Sequence, residues 1–153
     1  MKSIRWMSLL ALLLVGLVWN TEAGDKRRPA AAAEEGIQFT EASWASVLKK
    51  AKAENKIIFL DAYASWCGPC KMLQKNVFTK KEIGDYFNKQ FVNVKMDMEK
   101  GEGPALTQKY PLDAYPTLFF IDGNGKVVKK VIGYQKPEEL LSIGKSLKKT
   151  ALP

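Results

Sequence analysis

Apolar residues along this chain change their period several times, and each change marks an element. Residues 56–63, Lys56-Ile57-Ile58-Phe59-Leu60-Asp61-Ala62-Tyr63, form a nearly continuous apolar run, as expected of a central strand covered on both faces. Before it, Ile37-Gln38-Phe39 alternates like a short edge strand. Thr40 is placed to cap a helix in which Trp44, Val47, Leu48 and Ala51 recur on one face, with Asn55 as its end. After it, the pattern turns helical from Pro69 through Met72, Leu73 and Val77. A second helix start follows at Thr79, whose Glu82 three residues on predicts a capping box. Residues 91–97 read as a second strand, 104–110 as a short helix and 116–121 as a third strand. Asp122-Gly123-Asn124-Gly125 is a turn signal that folds the third strand back against 126–132 as a hairpin. Gly133 breaks the last strand, and Pro137 opens a final helix that turns Leu140, Leu141 and Leu147 inward.

This order predicts an α/β domain over residues 37–149, with a central mixed β-sheet flanked by helices on both faces, because buried strands need cover on each side. Several α/β folds share the order, and periodicity does not choose among them. The chain has 153 residues, of which 46% are hydrophobic and 26% charged, enough for one self-sufficient core.

The N-terminus is set apart from that domain. Lys2 and Arg5 precede an apolar stretch ending at Trp19, and Thr21-Glu22-Ala23 ends in a small residue, so residues 1–23 read as a cleaved export signal. The stretch falls short of the ~20 apolar residues that span a bilayer comfortably. An uncleaved anchor is the alternative, and only then is the membrane a partner. No cysteine near the boundary offers a site for lipid. Residues 24–36 lack periodicity and read as a flexible linker. Loss of the signal leaves 22 of the 24 basic and 15 of the 16 acidic residues, a formal charge of +7. The lysines are scattered, no arginine follows Arg28 and there is no aromatic-basic stripe, so nucleic acid is not an expected partner. The expectation is an exported protein, periplasmic if bacterial, and a monomer.

Cys67 and Cys70 are the only cysteines, and they fall where the central strand gives way to a helix. A structural disulfide around so short a ring is worth only about 2 kcal/mol in the chain-entropy model. A closed zinc site wants four Cys or His ligands, and the chain has no histidine and no second cysteine pair. Unless two chains share a site, no metal is expected, and the pair points to redox chemistry.

Trp66-Cys67-Gly68-Pro69-Cys70-Lys71 resembles the thioredoxin active site, and further residues fall at that family's positions. Asp61, six residues before Cys67, is similar to the buried acid of thioredoxins, and Lys95 to the lysine that accompanies it. Tyr115-Pro116-Thr117 resembles the cis-proline loop, and Gly133 the glycine bordering the substrate groove. The resemblance implies a thioredoxin-like fold, with Trp66, Gly68, Pro69, Tyr115, Pro116 and Gly133 as the substrate-binding surface. Where thioredoxins proper usually carry a kinking proline five residues after the second cysteine, this chain has Lys75. That variant resembles exported relatives, including the periplasmic C-terminal domain of the bacterial transmembrane thiol:disulfide interchange protein.

On that resemblance Cys67, at a helix N-terminus that stabilises a thiolate, is the nucleophile, and Cys70 resolves the mixed disulfide. Asp61 takes the Cys70 proton and Lys95 tunes that acid, unless it is an ordinary strand lysine turned to solvent. Trp66 is expected as an apolar apron beside an exposed Cys67 sulfur. The redox-active pair itself replaces a cofactor. Expected partners are protein disulfides and an upstream electron donor, membrane-bound or soluble. The pair lacks an intervening histidine, which favours a reductase; an oxidase, an isomerase or a non-enzymatic binding module are the alternatives.

Overall fold

The computed structural model describes residues 35–150. The expected export signal, and the expected linker up to residue 34, lie outside these residues. In chain order the elements are α1 (Trp44–Glu54), β1 (Ile57–Tyr63), α2 (Gly68–Asn76), α3 (Lys81–Gln90), β2 (Phe91–Asp97), α4 (Gly103–Lys109), β3 (Thr117–Ile121), β4 (Val127–Ile132) and α5 (Pro137–Thr150). The sheet order is β2-β1-β3-β4, with β1 parallel to β2 and antiparallel to β3, and β4 antiparallel to β3. This is the mixed α/β sheet of a thioredoxin-like fold.

Strand parity divides the core in two, since successive side chains point to opposite faces. Ile58, Leu60 and Ala62 of β1 join Val92, Val94, Phe119 and Ile121 under Trp44, Val47 and Ala51 of α1 and Leu106 of α4. Phe59 of β1 joins Phe91, Leu118 and Phe120 under Leu73 of α2, Ile83 and Phe87 of α3, and Leu140 and Leu147 of α5. Asp61 shares the parity of Phe59. The acid therefore lies on the face covered by the helix that carries both cysteines.

Three local expectations are corrected. Residues 37–39 form no strand: the N–H of Ile37 donates to the Phe78 carbonyl and that of Gln38 to Asn88 Oδ1, while Thr40 N–H reaches the Asn93 carbonyl. Those partners lie in the turn between α2 and α3, on α3 and on β2, so the segment crosses the structure rather than running along a sheet edge. Helix α1 is capped by Ser43, whose hydroxyl accepts from the Ser46 N–H, and not by Thr40. The capping box at Thr79 does not form. Its hydroxyl instead donates to the Lys75 carbonyl at 2.6 Å, one of the orphan acceptors at the end of α2, and Lys80 becomes the N-cap of α3 without a side-chain bond.

The crossing segment is seated by a glycine pair. Gly36, at φ +101°, lies against Gly84 of α3, where an added Cβ would stand 2.2 Å from the Gly36 carbonyl oxygen. Gly84→Ala gains about 1 kcal/mol of helix propensity but forces a backbone clash costing about 1–3 kcal/mol. A 2.2 Å contact with backbone puts the cost in the upper part of that range, so the expected net result is destabilisation by about 1–2 kcal/mol, read as a lower urea midpoint at unchanged slope. An unchanged or higher midpoint would show that this seat does not hold.

Candidate active site

The apolar run of β1 ends at Tyr63, and the short loop Ala64-Ser65-Trp66 delivers Cys67 to the start of α2. Helix α2 needs a group to accept its first free amides. Cys67 occupies the N-cap with extended backbone, and its Sγ accepts from the Cys70 N–H at 3.1 Å. Pro69, in the first turn, has no amide to satisfy, so the Cys70 N–H is among the first donors of the helix. A local need of the helix thus aims a donor at a sulfur. Cys67 and Cys70 are joined as a disulfide with Cα atoms 5.3 Å apart.

Both sulfurs are covered. Cys67 is 2% exposed and Cys70 1%, so the expected exposed Cys67 sulfur is not found in the oxidised pair. The cover comes from Ala64, Tyr63 and Tyr115, which pack on the two cysteines. Trp66 is the exposed member at 68%, its ring set edge-on to Tyr115 at 5.8 Å between centroids. The Tyr115-Pro116 peptide bond is cis, Pro116 is buried, and its carbonyl accepts from the Gly133 N–H at 2.8 Å. Gly133 needs its positive φ of 90° rather than room, since nothing lies within 4 Å of where a Cβ would stand. Gly68 and Pro69 are exposed at the helix start. Trp66, Tyr115 and the cysteines thus meet directly, and Gly133 joins them through Pro116.

Asp61 is fully buried. Its Oδ2 is 3.5 Å from Gln74 Nε2 on α2, and its Oδ1 has no protein partner. Burial pushes the carboxyl up from 3.8 to about 7, against smaller downward pulls from the Gln74 amide and then the Lys95 charge. Lys95 pairs in register with Asp61 across β1 and β2, but its side chain is exposed, with Nζ 5.5 Å over the Phe39 ring.

Two groups of residues escaped the sequence reading. A latch ties the cysteine loop to the segment after β2: Ser65 Oγ donates to Asp97, Lys100 Nζ donates to Ser65 Oγ at 2.8 Å, and the Trp66 indole N–H donates to Glu99 Oε2 at 2.9 Å. Nothing periodic marks a polar turn such as Asp97-Met98-Glu99-Lys100. Gln74 did leave a signal, because it stands four residues after Cys70 on the same helix face. Among the described residues no cluster of acidic or sulfur side chains could hold a metal ion.

Residues 44–148 match the family model for a thioredoxin-like domain. The chain is 34% identical over 110 residues to thioredoxin H4 of Arabidopsis thaliana, covering 70% of this chain and 87% of the plant protein. A solution structure from Bacteroides thetaiotaomicron, provisionally described as a disulphide-isomerase, is 48% identical with a TM-score of 0.65, over 74% of this chain and 95% of that one. The oxidised DsbD C-terminal domain of Neisseria meningitidis matches at a TM-score of 0.55 and 20% identity, a likeness of fold, over 74% of this chain and 98% of that one. The chain belongs to the thioredoxin-like family, and with its Cys67–Cys70 disulfide it is a thioredoxin-like thiol-disulfide oxidoreductase.

The raised Asp61 carboxyl makes stability depend on pH. Below about pH 4 the acid is protonated in both folded and unfolded chains and contributes nothing. Between about 4 and 7 the folded chain holds the proton that the unfolded chain releases, so stability falls as pH rises and levels off above about 7. The full cost is on the order of 4 kcal/mol. Asp61→Asn in the oxidised protein is expected to be more stable than the parent at pH 8, by up to that amount, and equal to it at pH 4. Parallel stability curves across that range, by urea unfolding, would refute the assignment.

Proposed function

We propose that this oxidoreductase is exported and works as a reductase of protein disulfides, with Cys67 as nucleophile and Cys70 as resolving thiol. The observation that carries the reading is the Cys70 N–H held on Cys67 Sγ at the N-terminus of α2, a placement that stabilises a thiolate on Cys67 once the pair is reduced. The thiolate attacks one sulfur of a substrate disulfide; that S–S bond breaks, a mixed disulfide forms and the first substrate thiolate leaves. Cys70 then gives its proton to Asp61, directly or through a water, and attacks Cys67 Sγ. The second substrate thiolate leaves, two electrons have passed to the substrate, and Cys67–Cys70 is again a disulfide. A dithiol donor upstream, soluble or in the membrane, returns two electrons to the pair.

Trp66 and Tyr115 form an aromatic rim beside the sulfurs, and the Tyr115-Pro116 segment with Gly133 offers backbone to an extended peptide. Lys95 acts on the reaction only through its charge on Asp61. Support for export comes from the apolar N-terminal stretch, and support for reduction from Gly68-Pro69, which puts no histidine between the cysteines. An isomerase reading has one specific support, the provisional description of the Bacteroides relative.

Equilibration with glutathione is expected to give a potential near the roughly −270 mV of thioredoxin, whereas a value near the roughly −120 mV of strong oxidants overturns the reductase reading. An isomerase-like value near about −180 mV favours the second reading. Cys70→Ser, expressed in the native host, is expected to accumulate mixed disulfides through Cys67 in the exported fraction, and Cys67→Ser none. Mixed disulfides confined to the cytosol would overturn export, and activity surviving in Cys67→Ser would leave a binding module.

A further inference from the structure

The reading of Asp61 as the proton acceptor leaves open what holds that carboxyl in place. Among the described residues the one hydrogen bond to its oxygens comes from Gln74, with Nε2 3.5 Å from Oδ2. Gln74 is half-buried while Lys71, Met72, Lys75 and Asn76 around it on α2 are exposed, so its amide is turned toward the sheet. Residues four apart lie one above the other on a helix, which sets Gln74 one turn below Cys70. The same helix that carries both sulfurs therefore also reaches the acid behind them.

We infer that Gln74 is a positioning residue for the resolving step: its amide holds Asp61 through Oδ2 and leaves the unpartnered Oδ1 for proton exchange with Cys70. The inference rests on the proton-transfer reading of Asp61 given above. A neutral amide that donates to a carboxylate favours the ionised form, and it does so here against the much larger effect of burial. The other groups around the acid differ in kind. Lys95 acts from β2 as an exposed charge. Tyr63 lies on the same strand, its own phenol pushed up first by burial, then by Asp97 and Asp61. From β3 the residue in register is Leu118, which does not titrate. Among the described residues only Gln74 couples the acid to the cysteine helix through a hydrogen bond.

The test follows the Asp61 carboxyl itself, by carbon-detected NMR titration of the oxidised full chain labelled at aspartate. Gln74→Met and Gln74→Leu keep the bulk of the side chain and remove the donor, at a helix position that tolerates either residue. Both are expected to raise the Asp61 midpoint by at least about a threefold change in proton affinity. The pH profile for resolution of a preformed mixed disulfide on Cys67 should move upward by the same factor, and a Gln74→Met change made in an Asp61→Asn background should not move it. A midpoint that stays put or falls in both variants, with native-like spectra, overturns the Gln74 inference alone. A resolution rate that Asp61→Asn leaves unchanged at every pH overturns the proton-transfer reading, and the inference with it.

Discussion

The contact on which the site depends is the one between a helix amide and a sulfur, Cys70 N–H to Cys67 Sγ at 3.1 Å. It exists because β1 is an inner strand of the sheet and stops at the helix that covers it. A strand buried on both faces has no freedom in where it ends, and the helix that follows must start within a few residues and must find an acceptor for its first amides. Placing cysteine at that N-cap answers the helix's need and prepares the chemistry with the same bond. The second cysteine, three residues on, is then fixed by the pitch of the helix.

Around that contact the structure adds cover and anchorage. Tyr63, Ala64 and Tyr115 shelter the oxidised pair, while the Ser65-Asp97-Lys100 and Trp66-Glu99 contacts hold the loop from the far side. Polar contacts at the surface, the Lys100–Asp97 ion pair among them, contribute little to stability singly. Their consequence here is geometric, since they tie Ser65 and Trp66 to the end of β2 and the turn after it and leave the exposed Trp66 face beside Tyr115.

The parts of the molecule legible in the sequence are those set by long-range burial. The run Ile57 to Tyr63, the strand Phe91 to Asp97 and the Asp122-Gly123-Asn124-Gly125 turn all lie where the pattern puts them, because a core imposes its period on every residue. Asn55 ends α1 with φ 49°, as a left-handed cap should. What could not be read was settled by competition between nearby polar partners. Thr79 had two helix ends within reach and bonded the earlier one; Thr40 lay beside Ser43, which capped instead. Residues 37–39 alternate like a strand, yet the amides of Ile37, Gln38 and Thr40 go to Phe78, Asn88 and Asn93, partners that only the assembled fold brings together. The cover over Cys67 has the same origin, since Tyr115 lies 48 residues further along the chain. The lone cysteine pair pointed to redox chemistry by itself, whereas the acid and the cis-proline loop were found through family resemblance; periodicity alone made Asp61 an interruption in an apolar strand.

Buried polar groups sort by what they hold, and the sorting separates architecture from chemistry. Asn93 lies in β2 at the parity of Phe91, and its amide donates to Asn88 Oδ1, which also accepts from Gln38, while Asn88 donates to the Gly36 carbonyl. Each link in that network secures the crossing N-terminal segment. Thr117 binds the Ala114 carbonyl and so tightens the loop that presents Pro116. Among the described residues Asp61 secures no loop and joins no such network: its partner is a single side chain on the cysteine helix, at a long 3.5 Å. A carboxyl kept in the middle of an apolar strand, held near neutrality by burial and left with one oxygen unpaired, works against local consistency without an architectural return. Its position, on the face under α2 and in line with the turn that bears Cys70, is what the proposed role of proton acceptor for the sulfur pair requires.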